Sequence, residues 1–325
     1  MKNFLSYAVE AYHHSKGSVL SLIAGLGFIW GIFNNLLSKE IALYTLAILS
    51  GLVLVYALIK YFSWLRHVIK GRMMVPIFGE RKITLLRNDY QKNMDYLLHH
   101  LPQHDLDNFA FVMGIDRTGN LSISSKGGVV YSVLSYLNEN YNCCQELPID
   151  YIQKELNNYI NTHSHADELN KLPYGACINV KLKLQPKDEM RLADEIQCNL
   201  ILIANSRKEV PNEKDMEENM MDDDKSNIIV PKVFDYLQKT KKFTGAMIGV
   251  MGTNGMRQSY QVVFSQIINQ YARICHKDNL CPLNHLYISI RDKDYIHSHI
   301  TLSHLEKYVR HCAEYYSTRN QTNEV

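Results

Sequence analysis

The chain has 325 residues and a formal charge of +2, room for one substantial domain with an accessory segment or for two small domains. So balanced a charge argues against nucleic acid as the main partner. Its seven cysteines, an odd number without C-x-x-C spacing, indicate neither a disulfide framework nor a zinc ribbon, and free thiols in a reducing compartment are the simplest reading.

The first element is an uncharged run from Val19 to Leu37, VLSLIAGLGFIWGIFNNLL, and a second follows from Ile41 to Ile59, IALYTLAILSGLVLVYALI. Each is 19 residues long, about 28 Å as a helix and close to the hydrocarbon thickness of a bilayer. One such run alone could be a buried core helix. Two in tandem, joined only by Ser38, Lys39 and Glu40, are expected to form a transmembrane hairpin. A cleaved signal peptide fits badly, because the apolar stretch is too long and a second follows at once. Lys2 and Lys16 precede the first span, and Lys60, Arg66, Lys70 and Arg72 follow the second. Both termini and the soluble domain are therefore expected on the cytoplasmic side of an inner (plasma) membrane. Gly27-x-x-x-Gly31, with Ala24 a turn earlier, offers a small-residue face for close helix packing. Residues 1–72 then form the membrane region, with spans at about 19–37 and 41–59, and residues 73–325 the cytoplasmic domain.

Beyond residue 72 strands and helices alternate. RKITLLRNDY (81–90) begins as a strand and ends in a charged turn, and DNFAFVMGID (107–116) has the continuous apolar centre of a strand buried on both faces. The polar loop RTGNLSISSKGG (117–128) leads into a helix from Val129, and Ile149–Ile160 reads as another. ACINVKLKL (176–184) alternates like a half-buried strand, and CNLILIANS (198–206) is another buried strand. The acidic stretch at 210–227 lacks periodicity and reads as a surface loop. Pro231 opens a helix; GAMIGVM (245–251) is a strand, YQVVFSQIINQYARIC (260–275) an amphipathic helix, NHLYISIRD (284–292) a strand, and Thr301 begins a last helix running to about Tyr315. The pattern predicts an α/β sandwich around a mixed, largely parallel sheet.

Two glycine loops occupy equivalent places, Gly119–Gly128 and Gly252–Gly255, each after a buried strand and before a helix. Backbone N–H groups in such loops can face an anion, and the following helix N-terminus adds partial positive charge. Neither is a Walker A loop or a G-x-G-x-x-G fingerprint, and a plain connecting turn stays open for each. Cys275, Cys281 and His285 follow no usual zinc spacing, so no metal site is expected. No nucleophile and base can be paired by proximity in the sequence, and no catalytic residue is assigned.

The order of these motifs resembles a macro domain, the ADP-ribose-binding module: ITLLRND with Asp89, FVMGIDRTGNLSISSKGGVV, PYGACINV before CNLILIAN, and GTNG after a buried strand. The resemblance implies a three-layer α/β/α sandwich and a ligand derived from ADP-ribose, with no bound cofactor. By that resemblance Asp89 would meet the adenine amino group, with a cap or turn role as the alternative. Ser124, Ser125, Gly127, Gly128, Val129 and Val130 would meet diphosphate and distal ribose, with Asp116 and Asn120 in the same loop. Gly252, Thr253, Asn254, Gly255 and Met256 would form a second phosphate loop, with Arg257 beside it. The family's hydrolases carry Asn-x-x-Asn where this chain has Gly114, Ile115, Asp116 and Arg117, which favours binding over turnover. With the hairpin, the chain is similar to the transmembrane–macro effector of type II Thoeris antiphage defence. That resemblance implies a nucleotide second messenger of the histidine-ADP-ribose type made by a TIR-domain enzyme, homo-oligomerisation and disruption of membrane lipids. A membrane-tethered ADP-ribosylhydrolase, with Asp116 as catalytic candidate, and a cyclic-dinucleotide sensor are the alternatives.

Overall fold

The computed structural model describes residues 12, 15, 17, 19–27, 30, 39–70, 72–121, 129–163, 172–187, 195–206, 228–250, 260–277, 281–291 and 302–321. The chain divides into two compact units, Met1–Met73 with Thr301–Leu305, and Met74–Ile300 with Glu306–Val325.

In the first unit, residues 19–27 are helical, and Lys39–Lys70 forms a 32-residue helix, α1. Its Tyr44–Phe62 portion is long and apolar enough to cross a membrane, and none of it is buried. It is the one such span among the described residues. The rest of the first expected span, from Gly31 on, lies outside them, so one helix of the expected hairpin is seen as a candidate span. Two hydroxyls in these stretches are satisfied within their own helix: Ser21 donates to the Gly17 carbonyl at 3.1 Å and Thr45 to that of Ile41 at 2.8 Å. Such internal pairing is what a hydrocarbon environment requires.

The second unit is built on an eight-stranded sheet of order β1-β2-β8-β7-β3-β6-β5-β4. The strands are β1 (Arg72–Phe78), β2 (Arg81–Arg87), β3 (Phe109–Asp116), β4 (Tyr141–Cys143), β5 (Cys177–Pro186), β6 (Ile196–Ser206), β7 (Gly245–Gly249) and β8 (His285–Ile290). Strands β2, β8, β7, β3 and β6 run parallel, and β5 and β4 continue the sheet antiparallel. The sheet is thus mixed, with a parallel centre whose strands are apolar on both faces.

Both faces are covered. On one, Leu86, Phe111, Met113 and Met247 pack with residues of α2 (Tyr90–His100), α4 (Val129–Asn140) and α5 (Pro148–His163), among them Met94, Val133 and Leu156. On the other, Ile83, Val112, Ile201, Ile248 and Ile288 are equally buried. That side carries α6 (Ile229–Thr240) and α7 (Tyr260–Lys277), joined through the Phe234 and Tyr271 rings at 6.5 Å. A four-residue turn of helix, α3 (Gln103–Leu106), links α2 to β3, and α8 (Leu302–Gln321) ends the chain's described part.

Several elements differ from the sequence expectation. Tyr90 opens α2 and is no charged turn, because Tyr90, Met94, Leu97 and Leu98 supply an apolar stripe at helical spacing. Strand β1, with Met73, Val75 and Ile77 buried alternately, follows α1 almost at once; its Pro76 is tolerated because β1 is an edge strand. The adjacent Cys143 and Cys144 enter a two-residue hairpin turn with φ of 51° at Cys144 and 71° at Gln145. Paired backbone bonds of 2.9 Å between Cys143 and Glu146 close it, the geometry of a type I′ turn. All seven cysteines are free.

Candidate functional site at the carboxyl edge of the parallel strands

The five parallel strands end at one edge of the sheet, and the two glycine loops leave it from neighbouring strands. β3 and β7 pair from Phe109–Gly245 to Val112–Ile248. β3 then continues to Asp116 while β7 stops at Gly249. The chain runs on from β3 towards β4, β5 and β6 on one side, and from β7 to β8 on the other, so the crossover direction reverses between them. In open α/β sheets such a switch point opens a crevice at the carboxyl ends, where ligands sit.

Tyr90 lies beneath that edge, where β3 and β7 stop pairing. Its hydroxyl lies 2.9 Å from the Val112 carbonyl oxygen and 3.1 Å from that of Met247, so one side chain from α2 ties β3 to β7 where their pairing ends. A Cβ at Gly249 would lie 3.1 Å from the Tyr90 ring, which is why β7 ends in a residue without one. Burial pushes the Tyr90 pKa up, keeping the hydroxyl protonated and able to donate. Asn93, one turn on, donates to Ser289 Oγ at 2.8 Å and to the Asn88 carbonyl at 3.1 Å, fixing the β2–α2 corner against β8.

Asp89 sits in that corner, one residue from Tyr90. It holds the position before the first turn of α2, yet its carboxylate makes no cap hydrogen bond. Its side chain is 50% exposed, with Lys92 at 3.7 Å. The helix does not use this carboxylate as a cap, and it is half exposed next to Tyr90.

The loop after β3 is held by three devices. Asp116 is buried, and its Oδ1 accepts from the Thr118 N–H at 2.7 Å, an Asx turn. Gln153 on α5 donates from Nε2 to the Gly119 carbonyl at 2.8 Å and accepts from the Leu121 N–H at 2.9 Å. Gly119 has φ +66°, a conformation that favours glycine, and it lies against the Ile160 and Leu156 side chains of α5. Arg117 Nε donates to the Leu172 carbonyl at 2.7 Å while its own carbonyl accepts from the Leu172 N–H at 2.7 Å. Asn120 is half-buried, its N–H 3.4 Å from Thr118 Oγ1.

At the start of α4, Val129 is 37% exposed while the Val130 side chain is core. Ser124, Ser125, Gly127 and Gly128, and Gly252, Thr253, Asn254, Gly255, Met256 and Arg257, lie outside the described residues. The Asp89 corner after β2, the Asp116–Leu121 turn after β3 and the end of β7 thus lie along the same carboxyl edge of the sheet. Tyr90, Gly249, Gln153 and Arg117 are builders of the site that sequence reasoning passed over. Gly249 stands in the apolar run before the GTNG motif, and Tyr90 directly follows Asp89.

The Cys275, Cys281 and His285 cluster has other employment. Arg81 donates to the Cys275 carbonyl at 2.7 Å and to the Cys281 carbonyl at 2.9 Å. His285 Nε2 lies 2.7 Å from Thr84 Oγ1, and its ring stacks on Tyr287 at 3.8 Å. Among the described residues no group of three or more His, Cys, Asp or Glu side chains forms a metal-sized site.

No protein-family model matches the chain, and no curated protein matches it. Its structural neighbours among solved proteins are macrodomains and poly(ADP-ribose) glycohydrolases. It is similar to the Oceanobacillus iheyensis macrodomain with ADP, at 12% identity and a TM-score of 0.42, covering 73% of this chain and 97% of that one. It is similar to poly(ADP-ribose) glycohydrolase from Deinococcus radiodurans in complex with ADP-ribose, at 9% identity and a TM-score of 0.38, covering 68% of this chain and 84% of that one. Likeness of this degree carries no argument about ligand or chemistry, which rests on the residues of this chain.

Proposed function

We propose that the second unit binds an ADP-ribose derivative in the crevice between the β3 and β7 loops. The observation that carries this reading is the end of pairing between two neighbouring parallel strands, bridged there by the Tyr90 hydroxyl, with both strands running into glycine-containing loops. Backbone N–H groups of 122–130 and 252–256 would hold the diphosphate, aided by the α4 N-terminus. The uncommitted Asp89 carboxylate would accept from the adenine amino group at the β2 end. Asp116 favours binding over hydrolysis, since a carboxylate that holds the turn through Oδ1 is a poor general base.

The exposed apolar surface of α1 supports a membrane-anchored protein. The motif order and the paired apolar runs extend the proposal to an effector of antiphage defence. Its signal would be a histidine-ADP-ribose type nucleotide from a TIR-domain enzyme, and binding would favour an assembled state that disrupts the inner membrane. A ligand drives such a change only through unequal affinity for the two states. The test is light scattering of the full chain in detergent, with and without ADP-ribose derivatives. Growth in particle mass on binding is expected; saturable binding with no change in mass would overturn the effector mechanism while leaving the binding site intact.

A further inference from the structure

Three arginines of this unit are paired or spent within the fold. Arg273 pairs with Asp235 at 3.4 Å and Arg310 with Glu306, and Arg81 gives both Nη groups to carbonyls. Arg117 is different. It directly follows β3 at the carboxyl edge, and its Nε–H is used on the Leu172 carbonyl at 2.7 Å. Its guanidinium carbon lies 4.1 Å from the centre of the Tyr174 ring. Among the described residues no carboxylate pairs with it, and the Asp116 carboxylate beside it holds the Thr118 N–H. A guanidinium has five N–H donors, so the four on Nη1 and Nη2 remain while the plane is already fixed on two sides.

The position of this group is set by the backbone. Leu172 is clamped to Arg117 in both directions at 2.7 Å. The same short segment is joined to β6, with the Gly175 N–H on the Ala204 carbonyl at 2.8 Å and the Ala204 N–H on the Ala176 carbonyl at 3.0 Å. Gly175 has φ +77° and carries the segment past Lys232, where a Cβ would meet the Lys232 side chain at 2.9 Å. Arg117 therefore stands on the β6 side of β3, away from β7 and from Asp89. Parallel strands lie about 4.8 Å apart, so β2 and β6, four steps apart in the sheet, are separated by roughly 19 Å at this edge.

We propose that Arg117, held over the Tyr174 ring, is the specificity-determining residue for an oxyanion, a carboxylate or a phosphate, carried at the far end of the nucleotide from its base. The inference rests on the ADP-ribose reading of the crevice and names what the ligand bears beyond the diphosphate. An acceptor, Asp89, reads one end of the site, and a donor, Arg117, reads the other. Guanidinium and oxyanion meet through two parallel N–H bonds, stronger than a neutral pair. Because the fold has already fixed the rotamer, little side-chain entropy is lost on binding.

The experiment measures affinities of the full chain in detergent for three nucleotides: ADP-ribose, ADP-ribose with a carboxylate-bearing substituent on its distal ribose, and ADP-ribose with a phosphate there. The wild type is expected to prefer one of the two anionic forms by about tenfold or more, and which one identifies the oxyanion. Arg117→Gln should bring that preference close to one, weakening the two anionic forms more than plain ADP-ribose. Arg117→Lys, which keeps the charge without the fork, should retain part of the preference, and it is read out if the Gln variant does not fold. No preference in the wild type, or an equal loss for all three ligands in the variants, would overturn the assignment and leave Arg117 as a brace for residues 172–174. Failure of all three nucleotides to bind the wild type would instead overturn the underlying reading, and this assignment with it.

Discussion

Asp89 and Tyr90 are neighbours with opposite duties, and substitutions should separate them. Asp89 gives nothing to the helix it precedes and pairs only with Lys92 at the surface, an interaction worth about 0–1 kcal/mol. Asp89→Ala should leave the melting temperature nearly unchanged and weaken ADP-ribose binding by about 1.5–3 kcal/mol, the range for a charge-assisted hydrogen bond. Thermal denaturation and calorimetric titration of the same sample check both halves. Tyr90 is a builder. Gly249→Ala would push a methyl to 3.1 Å from its ring and should cost about 1–3 kcal/mol in a denaturant titration, as overpacking does, with binding weakened as well because the Tyr90 ring moves.

Among the elements, the turn after β3 depends most on its neighbours. Gln153 meets it with two hydrogen bonds, and Gly119 lies against α5. Gln153→Ala should cost about 1–3 kcal/mol, two bonds at about 1 kcal/mol each, and Gly119→Ala more, since it adds a clash to an unfavourable positive φ. Denaturant midpoints should fall in that order, with faster amide exchange at Leu121 in both variants. Six of the eight strands and most of the helices were legible in the sequence because their apolar runs are long and each has a single period, whereas the edge strands β1 and β4 were not read. Helix α2 was missed because its stripe begins inside a segment that reads as the charged end of a strand. The clamp from Gln153 joins residues more than thirty apart in sequence, which no local pattern reports. Of the site, glycine content marked the two loops, whereas the end of pairing between β3 and β7 became visible only once sheet order placed them side by side.

At the scale of the molecule, the amino edge of the parallel strands carries a half-buried histidine, His285, at the start of β8. Burial first, and then the nearby Lys82 charge, lower the pKa of His285 to about 3. In the unfolded chain histidine titrates near 6.5. Between about pH 6.5 and 3 the unfolded state therefore binds more protons than the folded one, and stability falls as pH falls through that window. The loss saturates near pH 3. His285→Phe should flatten the pH dependence of the unfolding free energy between these limits, with a slope reduced by up to about 1.4 kcal/mol per pH unit. The central claim for the whole molecule is that one crevice, with an acceptor at one end, binds ADP-ribose. Calorimetric titration of the full chain in detergent with ADP-ribose, run beside Asp89→Ala, tests it most directly. The account predicts saturable binding at one site per chain, weakened at least about tenfold by the substitution. Absence of heat and of any thermal stabilisation with the wild type, or equal affinity of wild type and variant, would contradict it.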